Sequence, residues 1–314
     1  MSKMTIRGAR PQQAIDQTPY DRWVSPQGVC MAEFYRRDDG YLVRFPDQVD
    51  FSIPPLIENG ETEVRAPKIQ AWPVPDCPER IVRNLYRNAI LPIIGNHQGG
   101  LFLHGSAVAI TLPGPGLGNP EDAGHGAAAF LGLSRSGKTT IAGAFAKAGH
   151  PFVTEDVIDL RLRDGTYWLE PKASKLRLFG DSARHLLGDG AEGAKDVSGR
   201  DEKQDVEGGD VLPFRMQPVP LRAVHVLGGD PRASLSITPL APPAALAALL
   251  PHAFILDVED KSALKAHFER LADLTASVPC RMLDYTRDYG ELAAVMDAVL
   301  AEFGAGTAAS AASA

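Results

Sequence analysis

Residues 127–159 read AAAFLGLSRSGKTTIAGAFAKAGHPFVTEDVID, and the organisation of the chain follows from this stretch. Gly132-Leu133-Ser134-Arg135-Ser136-Gly137-Lys138-Thr139 satisfies every fixed position of G-x-x-x-x-G-K-[ST]. The context is the required one, an apolar run before it that suits a buried strand and an amphipathic helix after it. In that helix Ile141, Ala144, Phe145 and Ala148 fall on one stripe, and Gly149 stops it. Glycines let such a loop curl so that successive N–H groups point at phosphate oxygens, and the helix adds its positive N-terminal dipole. The candidate nucleotide-binding residues are therefore Gly132, Ser134, Arg135, Ser136, Gly137, Lys138, Thr139 and Thr140. Lys138 is expected to reach the β- and γ-phosphates and Thr139 to ligate magnesium, while Arg135 is expected to point to solvent.

A loop that holds a triphosphate still needs a group to aim the metal and one to receive a proton. Glu155 and Asp156 follow the apolar PFVT, read as the next strand of a parallel sheet whose carboxyl ends converge on the ligand crevice. Adjacent residues on an extended segment point to opposite sides, so this pair can divide the work between base and metal. His104, on the strand LFLHGSAVAI, reads from the residues alone as a core histidine beside Gly105, whose missing side chain leaves room for a ligand. Lys175 and Arg177 in SKLRLF, and Lys203 further on, are cations that can complete the site or simply be solvated.

Outward from this centre, GYLVRFPDQVDFSI places Tyr41, Val43 and Phe45 on one face of a short strand, and a helix is expected from Pro78 to just before Gly95. PGPGLGNPEDAGHG reads as a loop joining two paired strands, Asp164-Gly165 as a tight hairpin turn, and the stretch from about Gly188 to Gly209 as a long polar loop. PLRAVHVL is a strand, and helices are expected at about Pro243–Leu250, Lys261–Ser277 and Glu291–Phe303. The expected division is a β-rich N-terminal accessory domain over 1–96 ending in a helix, a catalytic domain over 97–303, and a low-complexity tail over 304–314 without structure.

The bulk composition narrows the partners. With 32 Lys+Arg against 39 Asp+Glu the net charge is −7, which supplies no field to gather nucleic acid or an anionic membrane. Three scattered cysteines suit a reducing compartment, and neither a secretion signal nor a membrane-length apolar run is present, so a cytoplasmic protein is expected.

LHGSAVAI followed by AAAFLGLSRSGKTTIAGAFAKAGHPFVTEDVIDL resembles the catalytic domain of the HPr serine kinases, a P-loop fold akin to ATP-dependent phosphoenolpyruvate carboxykinase. The likeness spans roughly residues 97–230, and it is nearest to the short relatives that act as serine kinases on lasso-peptide precursors. It implies an α/β P-loop kinase domain, ATP and Mg2+ as nucleotide and metal, and a serine-bearing protein or peptide as acceptor. It also implies that His104 assists the catalytic acid, that Glu155 is the general base, and that Asp156 stands with Thr139 at the metal. The family's pair is commonly Asp-Asp, and here the first member is one methylene longer. The likeness gives no reason to expect phosphorylase activity. Two other readings stay open on the residues: a nucleotide-gated binding module without kinase activity, and a small-metabolite kinase on the same fold.

Overall fold

A computed structural model describes residues 3–25, 27–56, 67–111, 125–172, 175–188, 203–207 and 212–311. The chain forms two compact units, Met1–Gly100 with Phe254–Glu269, and Leu101–Ala253 with Arg270–Ala314. Together their elements make a mixed α/β protein.

The first unit holds a six-stranded sheet of β1 (Lys3–Ile6), β2 (Asp21–Val24), β3 (Cys30–Arg37), β4 (Gly40–Phe45), β5 (Val49–Ile53) and β6 (Lys68–Pro73), in the order β1-β6-β5-β4-β3-β2. Val43, Phe45, Val49, Phe51, Ile53, Ile69 and Ala71 recur at the strand period and are buried. Helices α1 (Glu79–Leu85) and α2 (Leu91–His97) are joined by a π-helical turn, Tyr86–Ile90, so the helix runs through Gly95, where its end was expected. The boundary expected at residue 97 also changes, because 254–269 joins this unit. The reason is a set of non-local bonds that sequence spacing cannot show. Tyr20 donates to the carbonyl of Leu256 at 2.6 Å, Asn96 to that of Phe254 at 2.9 Å, and the Arg36 guanidinium grips the Asp257 carboxylate through Nε at 2.9 Å and Nη2 at 2.5 Å.

The second unit is built on β7 (Leu101–Thr111), β8 (His125–Leu131), β9 (Phe152–Thr154), β10 (Val157–Arg163), β11 (Thr166–Glu170), β12 (Lys175–Phe179), β13 (Lys203–Glu207), β14 (Val219–Leu227), β15 (Ser236–Pro239) and β16 (Cys280–Asp284). Its helices are α3 (Lys138–Lys147), α4 (Gly180–Leu187), α5 (Pro242–Leu249), α6 (Lys261–Ser277), which begins within the first unit, and α7 (Leu292–Ala311). The main sheet runs β11-β10-β7-β8-β14-β16-β15, with β9 on β7 and a further pairing of β11 with β14. Only β8–β14 and β14–β16 pair in parallel, so the expected parallel sheet is a mixed one. The hairpin at Asp164-Gly165 has both turn residues at positive φ (48° and 73°), the geometry that matches the twist of its strands.

From Ala127 to Leu131 strand β8 is buried on both faces, which explains the apolar run there. Ala128 and Phe130 enter one core with Phe145 of α3 and Val295 and Val299 of α7; Ala127, Ala129 and Leu131 enter another with Leu249, Leu271 and Leu274. Helix α7 continues through Gly304 to Ala311, where no structure was expected, because an alanine-rich segment propagates a helix already nucleated against a core. Part of the polar stretch after Gly188 is also ordered: Lys203–Glu207 pairs with β12, which supplies the backbone partners that a polar pentapeptide lacks by itself. Of the expected loop at 113–126, His125 and Gly126 belong to β8, and residues 113–124 lie outside the described residues, as does most of 189–211. No described helix is long and apolar enough to cross a membrane.

His225 of β14 is wholly buried and stacks on Phe130, with centroids 5.5 Å apart. Burial, with the Arg281 charge adding to it, pushes its pKa from 6.5 down to about 3. The unfolded chain therefore takes up a proton below pH 6.5 that the folded chain refuses, and stability must fall as pH drops from 6.5 towards 3. We expect a slope from this residue approaching ~1.4 kcal/mol per pH unit in urea unfolding, and a flatter profile in His225→Leu.

Candidate functional site

Topology brings the candidate residues to one edge of the sheet. Strand β7 is antiparallel to both β8 and β9, so β8 and β9 run the same way, as do β14 and β16 beside β8. Their carboxyl ends, Leu131, Thr154, Leu227 and Asp284, share that edge, and Gly105 opposite Leu131 places His104 there too.

From Leu131 the chain turns through the loop into α3. Arg135 and Gly137 take left-handed φ values of 65° and 97°. At Gly137 a Cβ would lie 2.4 Å from the Tyr285 hydroxyl, so both conformation and space require glycine. Lys138 is buried at 7% exposure, and its ammonium donates to the carbonyls of Gly132 (2.8 Å) and Leu133 (2.9 Å), curling the loop around its own lysine. The Ser136 hydroxyl is buried without a hydrogen-bond partner among the described residues. Arg135 is exposed as expected, but its guanidinium lies over the Phe179 ring at 5.7 Å, where a cation–π contact holds it.

Glu155 and Asp156 interrupt β9 and β10 without changing register: Thr154 stays opposite Ala107 and Val157 opposite His104. The interruption is a turn in which the Val157 amide donates to the Glu155 carbonyl at 2.8 Å and Asp156 takes φ 64°. Such γ-turns are rare and strained, and backbone strain of this kind gathers at functional sites. The pair is thus separated by a turn where an extended segment was expected. Glu155, at 6% exposure, accepts from the Thr139 hydroxyl at 3.3 Å. Asp156 lines a cavity at the loop, and its carboxylate lies 3.4 Å from Nη1 of Arg177. Arg177 therefore belongs to the site and is no merely solvated cation. Of the other cations weighed, the backbone of Lys203 stands opposite Phe179 in the β12–β13 pair, next to this wall of the cavity.

His104 is half-buried at the same cavity, its Nδ1 2.9 Å from the Asp156 carbonyl. A carbonyl only accepts, so Nδ1 carries the hydrogen and the ring braces the strained residue. This role differs from that of a core histidine. Gly105 beside it is no opening for a ligand: a Cβ there would meet Cδ1 of Ile158 at 2.6 Å and the Phe130 carbonyl at 2.7 Å.

The cavity measures about 390 Å³, within the range of small-molecule sites. Beyond the loop itself the cavity is lined by Phe179, Ser182, Tyr285, Arg287 and Tyr289, none of which the motifs single out. A signal was present in RMLDYTRDY, which leaves β16 at the shared edge with two tyrosines and two arginines. His252, buried near Lys138 and His104, carries no such signal; burial, with those two charges adding to it, pushes its pKa down to about 4.

No family model matches the sequence, and no curated protein matches it. Solved structures that match include the HPr(Ser) kinase/phosphatase from Coxiella burnetii, at 9% identity over 64% of this chain and 95% of that one, with a TM-score of 0.34. That is a distant structural similarity, and the chemistry of the site rests on its own residues.

If Gly105 serves packing, Gly105→Ala costs stability by overpacking, about 1–3 kcal/mol in chemical denaturation.

Proposed function

We propose that the chain binds a nucleoside triphosphate with magnesium on Gly132–Thr139 and transfers its γ-phosphoryl group to a serine hydroxyl of a protein or peptide. The observation that carries this reading is the Thr139–Glu155 contact of 3.3 Å, which brings a carboxylate from the turn after β9 to the hydroxyl that the loop motif assigns to metal. The loop fits phosphate: it has a buried ammonium, an unsatisfied Ser136 hydroxyl and the N-terminus of α3. It also fits magnesium. Among the described residues no group of three or more His, Cys, Asp or Glu side chains is placed to hold a metal by itself. Magnesium commonly takes only one or two protein groups and completes its shell with phosphate oxygens and water.

Thr139 and Glu155 would hold the metal, which when bound supplies positive charge on the phosphate oxygens. This exchanges the roles first expected of the two acids. Of the two acids Asp156 is the one that lines the cavity, so Asp156 takes the proton as the serine oxygen attacks the γ-phosphorus and the bond to the bridging oxygen breaks. His104 holds Asp156 through its backbone, and Arg177 holds the carboxylate. Lys138 neutralises charge on the transferred group. The choice of ATP and of serine follows the sequence resemblance, and a cytoplasmic location is part of the same proposal.

The test is γ-phosphate transfer from labelled ATP to cytosolic extract of the source organism and to serine peptides from neighbouring genes. We expect a labelled polypeptide with wild type, and its loss in Lys138→Ala. Asp156→Asn should lower kcat by at least ~100-fold with little change in nucleotide affinity, and Glu155→Gln should weaken magnesium-dependent binding. Nucleotide binding with no labelled polypeptide would sink the kinase reading.

A further inference from the structure

The part of the cavity lined by Ser182 and Tyr289 has a feature that phosphoryl transfer does not require. Tyr289 stands on a short 3-10 turn, Tyr289–Glu291, capped by the Asp288 carboxylate, which accepts from the Gly290 amide at 2.7 Å. One face of its ring stacks on His185 of α4, with centroids 4.5 Å apart and planes 16° from parallel. Its hydroxyl lies 3.1 Å from that of Ser182, and Ser182 lies 3.0 Å from the hydroxyl of Thr140 on the first turn of α3. The ring is therefore fixed in position and in tilt, and two hydrogen bonds tie it to the helix that follows the phosphate loop.

A tyrosine held this firmly would ordinarily be covered, yet Tyr289 is 36% exposed and forms part of the cavity wall. His185 occupies one ring face; the opposite face is the one a ligand in the cavity can stack on. The polar groups around it are unlike those of the loop end. Thr140, Ser182, Asp181 and Asp288 offer hydroxyls and carboxylates, and Asp181 is paired with Arg184. Arg287, which also lines the cavity, is committed to the carbonyls of Gly228 (2.6 Å) and Tyr285 (3.2 Å) and lies over the Tyr285 ring. Phosphates are thus favoured at the Lys138 end, and an uncharged, flat, hydrogen-bonding group at the Tyr289 end.

We propose that Tyr289, backed by His185 and Ser182, is a stacking platform for the base of the bound nucleotide. This rests on the phosphate-loop reading above and extends it from the triphosphate to the nucleoside. Stacking on an aromatic face is sequence-tolerant, because every base has a π-face, so the platform raises affinity for nucleotides in general over bare polyphosphate.

The experiment is calorimetric titration of the full chain with magnesium and either ATP or inorganic tripolyphosphate, for wild type, Tyr289→Ala, Tyr289→Phe and Lys138→Ala. We expect wild type to bind ATP more tightly than tripolyphosphate. Tyr289→Ala should lose roughly ten-fold in ATP affinity with tripolyphosphate affinity unchanged, and Tyr289→Phe, which keeps the ring, should stay close to wild type. Unchanged tripolyphosphate binding also shows that the variant is folded. An ATP-to-tripolyphosphate ratio that Tyr289→Ala leaves at the wild-type value overturns the platform alone. If wild type binds neither ligand, or Lys138→Ala weakens neither, the phosphate-loop reading falls and takes the platform with it.

Discussion

The constraint on which the site depends is the burial of the Lys138 ammonium. A charge removed from water is costly unless it is solvated again by the protein. Here the carbonyls of Gly132 and Leu133 do this, and they reach Nζ only because the chain doubles back between Leu131 and α3. That curl demands left-handed conformations at Arg135 and Gly137 and a bare Cα against the Tyr285 hydroxyl. Residues Ser134–Gly137 of the loop and Lys138, Thr139 and Thr140 at the start of α3 then line one cavity.

The second requirement is that a carboxylate arrive from elsewhere, and this is a matter of topology. Two successive antiparallel pairings through β7 turn β9 to the direction of β8, so the ends of both strands reach the same edge. The turn at Glu155-Asp156 then separates two adjacent acids that a regular strand would only have alternated. One goes inward to Thr139 and the other to Arg177 and the cavity. His104 bonds the carbonyl of the strained residue, so the strand that sets the register also braces the turn.

How much of this was legible varies with the range of the interaction. The loop, α3, the Asp164-Gly165 hairpin and the bracketing strands are local, set by glycine positions and hydrophobic period, and the sequence carries them openly. The membership of 254–269 in the first unit was hidden because Arg36 and Asp257 lie far apart in the chain. The turn that sends the Glu155 and Asp156 side chains to different partners was hidden for another reason. Aspartate tolerates a positive φ, but that it adopts one here depends on its bonded neighbours, Val157 and His104, which the residue type alone does not announce. The lining at Tyr285 and Tyr289 could have been suspected from where β16 ends, whereas His252 could not. The helical tail shows that low complexity is a poor sign of disorder when the repeated residue is alanine.

The most direct test of the central claim is a structure of the chain with magnesium and a non-hydrolysable triphosphate analogue. The account predicts that Lys138 Nζ leaves the Gly132 and Leu133 carbonyls for phosphate oxygens, and that the metal lies between Thr139 and Glu155. An analogue bound away from the loop, with Nζ still on those two carbonyls, would contradict it.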